Sequence, residues 1–236
     1  MFKGQRVVVT GGTGLMGRKL LEKLVERKAR VISASMDNLQ PVPNVQYNIV
    51  DLTYKQNCEQ LIQGADYVFH CAGVKGSGIM TQEKPASMMV APLQMNTNVL
   101  ESCRVNQVKG MVFVSSIEAV TQPLTIPKVV KQVGENQIFA YEKQYSLHNF
   151  YIVRPTHTYG EGDNFDTYSA MVIPALMAKI ARGDNPVIVY GSPDSKRDFL
   201  YSGDCADGII WAMEKKRRLT HLGATVVTID HLLTLL

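Results

Sequence analysis

Arg6–Gly17 reads RVVVTGGTGLMG, a short β-branched run that breaks into glycines and reopens as a segment of helical period. Arg6–Thr10 has the length and branching of a buried strand, Leu15–Lys28 spaces its apolar residues like an amphipathic helix, and Arg30–Ser35 is a second strand. Gly12, Gly14 and Gly17 give G-x-G-x-x-G at the first strand-to-helix crossing. Such glycines allow a tight turn, a close approach of backbone to an anion, and close packing of helix on sheet. The helix amino terminus adds unpaired N–H groups and the positive end of the peptide dipole. Gly11, Gly12, Thr13, Gly14, Leu15, Met16 and Gly17 are therefore expected to cradle the pyrophosphate of a dinucleotide.

The alternation continues outward from this unit. Strands are expected at Val45–Val50, Asp66–His70, Met111–Ser115 and Phe150–Arg154, with helices near Tyr54–Gln63, Pro92–Asn106 and Val129–Tyr145. Strands apolar on both faces and joined by helices form a parallel sheet covered on both sides. The fold class is α/β: a Rossmann-like, doubly wound parallel sheet with a small C-terminal substrate lobe. Past Arg154 the pattern loosens into a Gly- and Asp-containing loop, Thr156–Tyr168, followed by a helix at Ala170–Arg182 and a strand at Pro186–Tyr190. Residues 1–155 are read as the dinucleotide-binding domain and 156–236 as the lobe, with a soft boundary and a shared core. Lys215–Arg218 (KKRR) follows the helical stretch Cys205–Glu214, where cations suit the negative end of the dipole.

Hydrophobic residues make up 45% of the 236 and charged residues 19%, which excludes a disordered or low-complexity chain. The net charge of +4 suits an anionic small molecule and falls short of a nucleic-acid footprint. Cys58, Cys71, Cys103 and Cys205 form neither a CxxC pair nor a disulfide framework, and fit a reducing cytoplasm. His70 and Cys71 have no partners at ligand spacing, so no metal site is expected. The apolar part of the opening MFKGQRVVVTGG is too short for a secretion signal, and no stretch approaches the ~18 apolar residues of a membrane span.

Further motifs follow the glycine turn in order: Asp51-Leu52 after the third strand, Val68–Gly73 (VFHCAG), Met111–Ser116 (MVFVSS), Arg154–Gly160 (RPTHTYG), and Arg197–Tyr201 (RDFLY) with Asp204. Together with TGGTGLMGRKL they resemble the extended short-chain dehydrogenases/reductases, the NAD(P)-dependent nucleotide-sugar epimerase/dehydratase family. Pro155–Phe165 (PTHTYGEGDNF) and Lys75–Ile79 (KGSGI) are most similar to its GDP-L-fucose synthase branch, which epimerises and then reduces a GDP-4-keto-6-deoxy sugar. The resemblance implies adenine contact from Asp51 and Leu52, and further cofactor contact from Ala72, Gly73, Lys131 and Pro155. It also implies a nucleotide-sugar substrate and a homodimer formed through the helices around Pro92–Asn106 and Val129–Tyr145. His221–Leu236 resembles a stretch after which relatives continue, so the lobe is expected to be truncated.

The position that sets NAD against NADP falls on Ser35. A carboxylate there would accept from the ribose 2′-hydroxyl and repel a 2′-phosphate; serine can donate to phosphate, and Arg18 and Lys19 could neutralise it. NADP is favoured on this basis, with Asp37 as the residue that would restore NAD, and with a solvated helix position as the other reading of Arg18.

In this family a tyrosine of Tyr-x-x-x-Lys exchanges the proton, the lysine lowers the tyrosine pKa and holds the nicotinamide ribose, and a hydroxyl bonds the reacting oxygen. Ser116 matches the hydroxyl and Lys131 the lysine, which puts Pro127 where the tyrosine belongs. Ser116 and Lys131 also lie closer together than the family pattern. Either a segment bearing the tyrosine is missing from the sequence, or the chain is a cofactor-binding relative that has lost the redox step. The acid/base cysteine of the GDP-L-fucose synthases corresponds to Glu118 and their histidine to Gly162. Glu118 also matches the glutamate of nucleotide-sugar 4,6-dehydratases, which keep NAD bound, and is read as a site carboxylate or a solvated loop residue. Lys75, His157 and Arg197 are the substrate candidates. His157 stands in for the usual Asn or bonds backbone; Arg197 meets the diphosphate or bridges to Asp198 or Asp204.

Overall fold

A computed structural model describes residues 1–74, 78–166, 169–189 and 191–235. The elements run β1 (Arg6–Thr10), α1 (Leu15–Glu26), β2 (Arg30–Ser35), β3 (Val45–Ile49), α2 (Lys55–Ile62), β4 (Tyr67–His70), α3 (Gly78–Glu83), α4 (Pro85–Val105) and β5 (Gly110–Val114). A 3-10 turn (Ile117–Val120) leads into α5 (Ile126–Tyr145), β6 (Phe150–Pro155), β7 (His157–Tyr159), α6 (Val172–Ala181), β8 (Lys196–Tyr201), α7 (Ser202–Glu214), β9 (Leu219–Leu222), β10 (Thr225–Thr228) and α8 (Ile229–Leu235).

The large sheet has seven strands in the order β3-β2-β1-β4-β5-β6-β9, all parallel. Alternation along β1 sets its two faces. Val7 and Val9 join Leu20, Leu21 and Leu24 of α1 and Ile209 and Met213 of α7 in one layer. Val8 joins Leu61 of α2, Leu100 of α4 and Ile138 of α5 in the other. The strand order reverses between β1 and β4, and a crevice outside the carboxyl ends of the strands at such a switch point is where ligands bind in doubly wound sheets.

The second sheet, β10-β8-β7, packs its apolar side on α6 and α8 through Ile173, Leu176, Phe199, Ile229 and Leu232. The chain beyond residue 155 serves both sheets: β7, β8 and β10 build the small one, while α7 and β9 return to the large one.

Four sequence expectations shift. Residues 186–189 form no strand; Pro186 has no N–H for a ladder, and Val187 and Val189 pack onto the small cluster as side chains. Tyr190 lies outside the described residues. The supposed loop Thr156–Tyr168 contains β7, which pairs with β8 in parallel register His157↔Phe199. Helix α4 starts at Pro85 rather than Pro92, which sits buried inside it, and α5 starts at Ile126 with Pro127 in its first turn. Proline is tolerated in that turn because its missing N–H would have had no helical partner.

Candidate functional site

The glycine turn closes as its spacing requires. Gly11 has φ +68, and a Cβ there would lie 2.8 Å from Ala72 Cα, so β1 and the end of β4 touch backbone to backbone. A Cβ on Gly17 would stand 2.1 Å from the Gly11 carbonyl oxygen, and one on Gly12 would strike Ser33 Oγ at 2.3 Å. Gly14 differs: it is exposed, its Cβ would meet only the Gly11 oxygen at 3.3 Å, and it is the N-cap of α1 with no side chain capping the helix. The first N–H groups of α1 thus have no side-chain cap and start at an exposed glycine, the arrangement an anion needs. Leu15 is buried under the turn, and Met16 rests its sulfur 3.6 Å from Cys205 Sγ.

One hydrogen-bonded chain fixes the far wall of the cradle. The Ala72 N–H donates to Thr10 Oγ1 at 3.3 Å, Thr10 bonds His70 Nδ1 at 2.7 Å, and His70 Nε2 meets Asn96 Oδ1 at 3.0 Å. That network assigns the proton to Nε2 and leaves the ring neutral; burial, with the Lys131 charge nearby, pushes the His70 pKa down to about 3. Gly73 follows, exposed, where a Cβ would lie 3.9 Å from Lys131 Nζ.

At the end of β2, the Thr13 N–H donates to Ser35 Oγ at 3.3 Å and the Thr13 hydroxyl donates to Asp37 Oδ2 at 2.8 Å. Asp37 also accepts the Leu39 N–H. The carboxylate is therefore drawn to the cradle beside Ser35. Arg18 bonds the Thr13 carbonyl at 3.3 Å and lies flat on Gly162, where a Cβ would fall 2.4 Å from one guanidinium nitrogen. Its Nε is buried and has no partner among the described residues. Asp51 turns inward on Thr53, Oδ1 accepting both the Thr53 N–H and hydroxyl, and Leu52 is buried.

On the other side of the switch point, Ser115 and Ser116 follow the end of β5. Lys131 Nζ donates to the Val114 carbonyl at 2.7 Å and sits 5.3 Å from the Phe113 ring centre. Burial pushes its pKa down to about 8, against the opposing pull of Cys71 and Glu135. Ser116 Oγ caps the 3-10 turn by accepting the Glu118 N–H at 3.2 Å. A cavity of about 40 Å³ is lined by Gly73, Met88, Asn96, Pro127, Val130 and Lys131, so Pro127 does face the space beside the lysine. Pro155, buried at the end of β6, pairs with Leu222 of β9.

Of the substrate candidates, His157 Nε2 lies 3.4 Å from Glu118 Oε1, and the ring meets Phe199 edge-on at 6.0 Å. The hydrogen bond from His157, followed by the Lys128 and Arg197 charges, holds the Glu118 carboxyl below its usual range. Arg197 is exposed and donates to the Lys196 carbonyl; Asp198 instead accepts the Ala224 N–H. Lys75 lies outside the described residues. The feature that sequence reasoning missed is Glu135, buried at 3% exposure and gripped by Arg154 Nε at 2.8 Å, by the other guanidinium arm and by the Ser115 hydroxyl. Its position one helical turn beyond Lys131 was the available signal. Among the described residues, no cluster of His, Cys, Asp or Glu has metal-ligand proximity, and no helix is long and apolar enough to cross a membrane.

Residues 7–227 match the NAD dependent epimerase/dehydratase family, which takes in both sheets and every site just described. The chain belongs to that family. Among curated relatives, the GDP-L-fucose synthase of Sinorhizobium fredii is 28% identical over 246 aligned positions, covering 94% of this chain and 74% of the relative. Those positions outnumber the 236 residues of the chain, so the relative carries internal residues with no counterpart here. The fold is shared with UDP-glucose 4-epimerase of Thermotoga maritima with UDP-glucose (TM-score 0.88, 22% identity, 98% of this chain and 81% of that one). It is also shared with the Thermus thermophilus UDP-glucose 4-epimerase in complex with NAD (TM-score 0.82, 23% identity, 97% and 80%). An NAD(P)-dependent epimerase/dehydratase fold thus accounts for the glycine cradle, and the residues around it suit a dinucleotide: an uncapped helix start, close-packed glycines and a cation beside Gly73.

Proposed function

We propose that this chain is an NAD(P)-dependent nucleotide-sugar epimerase/reductase, similar to the GDP-L-fucose synthases, acting on a GDP- or other nucleotide-linked 4-keto or 4-hydroxy hexose. The observation that carries it is the meeting of the glycine cradle with Lys131 and Ser116 at the carboxyl ends of β1, β4 and β5. Gly11–Gly17 would hold the pyrophosphate, and Asp51 the adenine end. Lys131, already poised against Val114, would hold the nicotinamide ribose. When bound, the nicotinamide supplies hydride transfer at a sugar carbon. Ser116 would donate to the reacting oxygen, and Arg197, exposed and unpaired with Asp198 or Asp204, would reach the substrate diphosphate from the lobe of β7, β8, β10, α6 and α8.

Within this reading we favour NAD over NADP. Asp37, held by Thr13 beside Ser35, is the carboxylate that accepts from a ribose hydroxyl and repels a 2′-phosphate. We also place the protein in the cytoplasm, its four cysteines being free, and as a homodimer through α4 and α5, which leave Met89, Val90 and Val133 exposed. A light-scattering mass of one chain across the micromolar range would contradict the dimer.

Pro127 favours a second reading: a dinucleotide-binding chain without redox turnover. A proline beside Lys131 can neither give nor take a proton. Incubation with a GDP-4-keto-6-deoxyhexose and reduced nicotinamide distinguishes them. The enzyme reading expects cofactor oxidation and a 4-hydroxy sugar; cofactor binding without oxidation, with turnover appearing in Pro127→Tyr, supports loss of the redox step.

A further inference from the structure

We infer that His157 and Glu118 form an acid–base couple that exchanges the proton on the carbon beside the ketone of a keto-sugar nucleotide, a role that rests on the nucleotide-sugar reading above. Two separate elements bring the groups together: Glu118 rides on the 3-10 turn after β5, and His157 opens β7 just past the end of β6. His157 Nε2 stands 3.4 Å from Glu118 Oε1. The ring is held edge-on against Phe199, and its Nδ1 has no hydrogen-bond partner among the described residues. Ser116 lies at the base of the same turn, tied to it by the Glu118 N–H. The couple is open to solvent on the Glu118 side, whose carboxylate is 49% exposed, while the His157 side chain is only 23% exposed.

The chemistry follows from this order of groups. With Nε2 carrying the proton that faces Glu118, Nδ1 is the free base. It takes the proton from the carbon adjacent to the carbonyl: the C–H bond breaks, an N–H bond forms, and the electron pair becomes a C=C bond as the carbonyl oxygen turns into an enolate. The Ser116 hydroxyl donates to that oxygen, and the Glu118 carboxylate stabilises the imidazolium as carboxylates do beside catalytic histidines. Return of the proton restores the ketone, so the step consumes neither oxidant nor reductant. Pro127 is no obstacle, since no tyrosine takes part. Lys128 from α5 and Arg197 from β8 also act on Glu118, and both favour its ionised form.

The test uses the full chain in deuterium oxide with a GDP-4-keto-6-deoxyhexose. Mass spectrometry follows deuterium uptake into the sugar, and calorimetry measures binding of the same compound. Wild type is expected to exchange hydrogen well above the buffer rate. His157→Asn and Glu118→Gln should each slow exchange by about 100-fold or more while the dissociation constant moves by less than about fivefold, and Glu118→Asp should recover part of the rate. Binding without exchange above buffer, or exchange undiminished in both variants, overturns the couple and leaves the nucleotide-sugar reading standing. Absence of saturable binding overturns that reading, and the couple with it.

Discussion

Replacing Glu135 by Leu removes the carboxylate that satisfies Arg154 and Ser115 in the layer between α5 and the sheet. Glu135 is 3% exposed and Arg154 9%, so water cannot take over the lost partner. The guanidinium keeps a contact to His221 Nε2 at 3.3 Å, and an imidazole nitrogen carries no negative charge to balance it. Removing one member of a buried ion pair costs about 3–5 kcal/mol, because the survivor is left charged and desolvated. For a chain of this size, each kcal/mol moves Tm by roughly 2–4 °C, so a fall of roughly 6–20 °C is expected. Urea unfolding followed by circular dichroism measures the loss as a shifted midpoint at unchanged slope. The double variant Glu135→Leu/Arg154→Met removes both charges and should regain most of it, since apolar replacements of a buried pair are often neutral. A loss below about 1 kcal/mol in the single variant, or a double variant no more stable than the single, would show that the buried charge of Arg154 does not depend on Glu135. The pair also ties the helix turn after Lys131 to β5 and β6, so the single variant should weaken dinucleotide affinity.

Three further outcomes are expected. Lys131, with its pKa pushed down to about 8 from 10.5, is costly to keep charged in the folded state. The unfolded chain binds the extra proton between those values, so Lys131 makes stability rise with pH across that window. Lys131→Met should remove this rise and stabilise the protein near neutrality by on the order of 3 kcal/mol, read by urea unfolding of both forms at each pH so that the buried cysteines cancel. His70, held neutral with a pKa of about 3 against 6.5 unfolded, contributes stability above pH 6.5 that is lost as pH falls toward 3. The slope is up to about 1.4 kcal/mol per pH unit, and His70→Gln should flatten it in acid unfolding curves. Asp37→Ser should improve NADPH relative to NADH by about tenfold or more in fluorescence titration; an unchanged ratio would remove Asp37 from cofactor choice.

The large sheet could be read because β1, β2, β4, β5 and β6 are apolar on both faces, and a strand buried on both sides writes itself as a continuous run. The strands of the small sheet were harder. β8 begins with the exposed Lys196 and Arg197 and only then buries Phe199 and Leu200, while Thr225 and Val226 of β10 are open to water. Half-exposed, three to six residues long and flanked by loops, they carry little periodicity. Pro186–Val189 erred in the opposite direction: its apolar side chains mark packing against a helix pair, not a ladder. The cradle was legible because its residues are consecutive and each glycine answers a local steric need. The couple of Glu118 and His157 and the clamp of Glu135 and Arg154 were not, because each joins residues from different elements that meet only once β5 and β6 pair. Ser35 is legible as a single position; the Thr13 hydroxyl that draws Asp37 in beside it is a tertiary contact.

Binding of a nicotinamide dinucleotide by the glycine turn between β1 and α1 is tested most directly by an equilibrium fluorescence titration of the full chain with NADH, alongside Gly14→Ala. Gly14 is exposed and its φ of −75 suits any residue, so the variant should keep the wild-type unfolding midpoint while its methyl stands beside the uncapped N–H groups at the start of α1. Wild type is expected to bind saturably at one site per chain, and the variant to lose about tenfold or more in affinity. No saturable binding by the folded wild type, or equal affinity in a folded Gly14→Ala, would contradict binding at this turn.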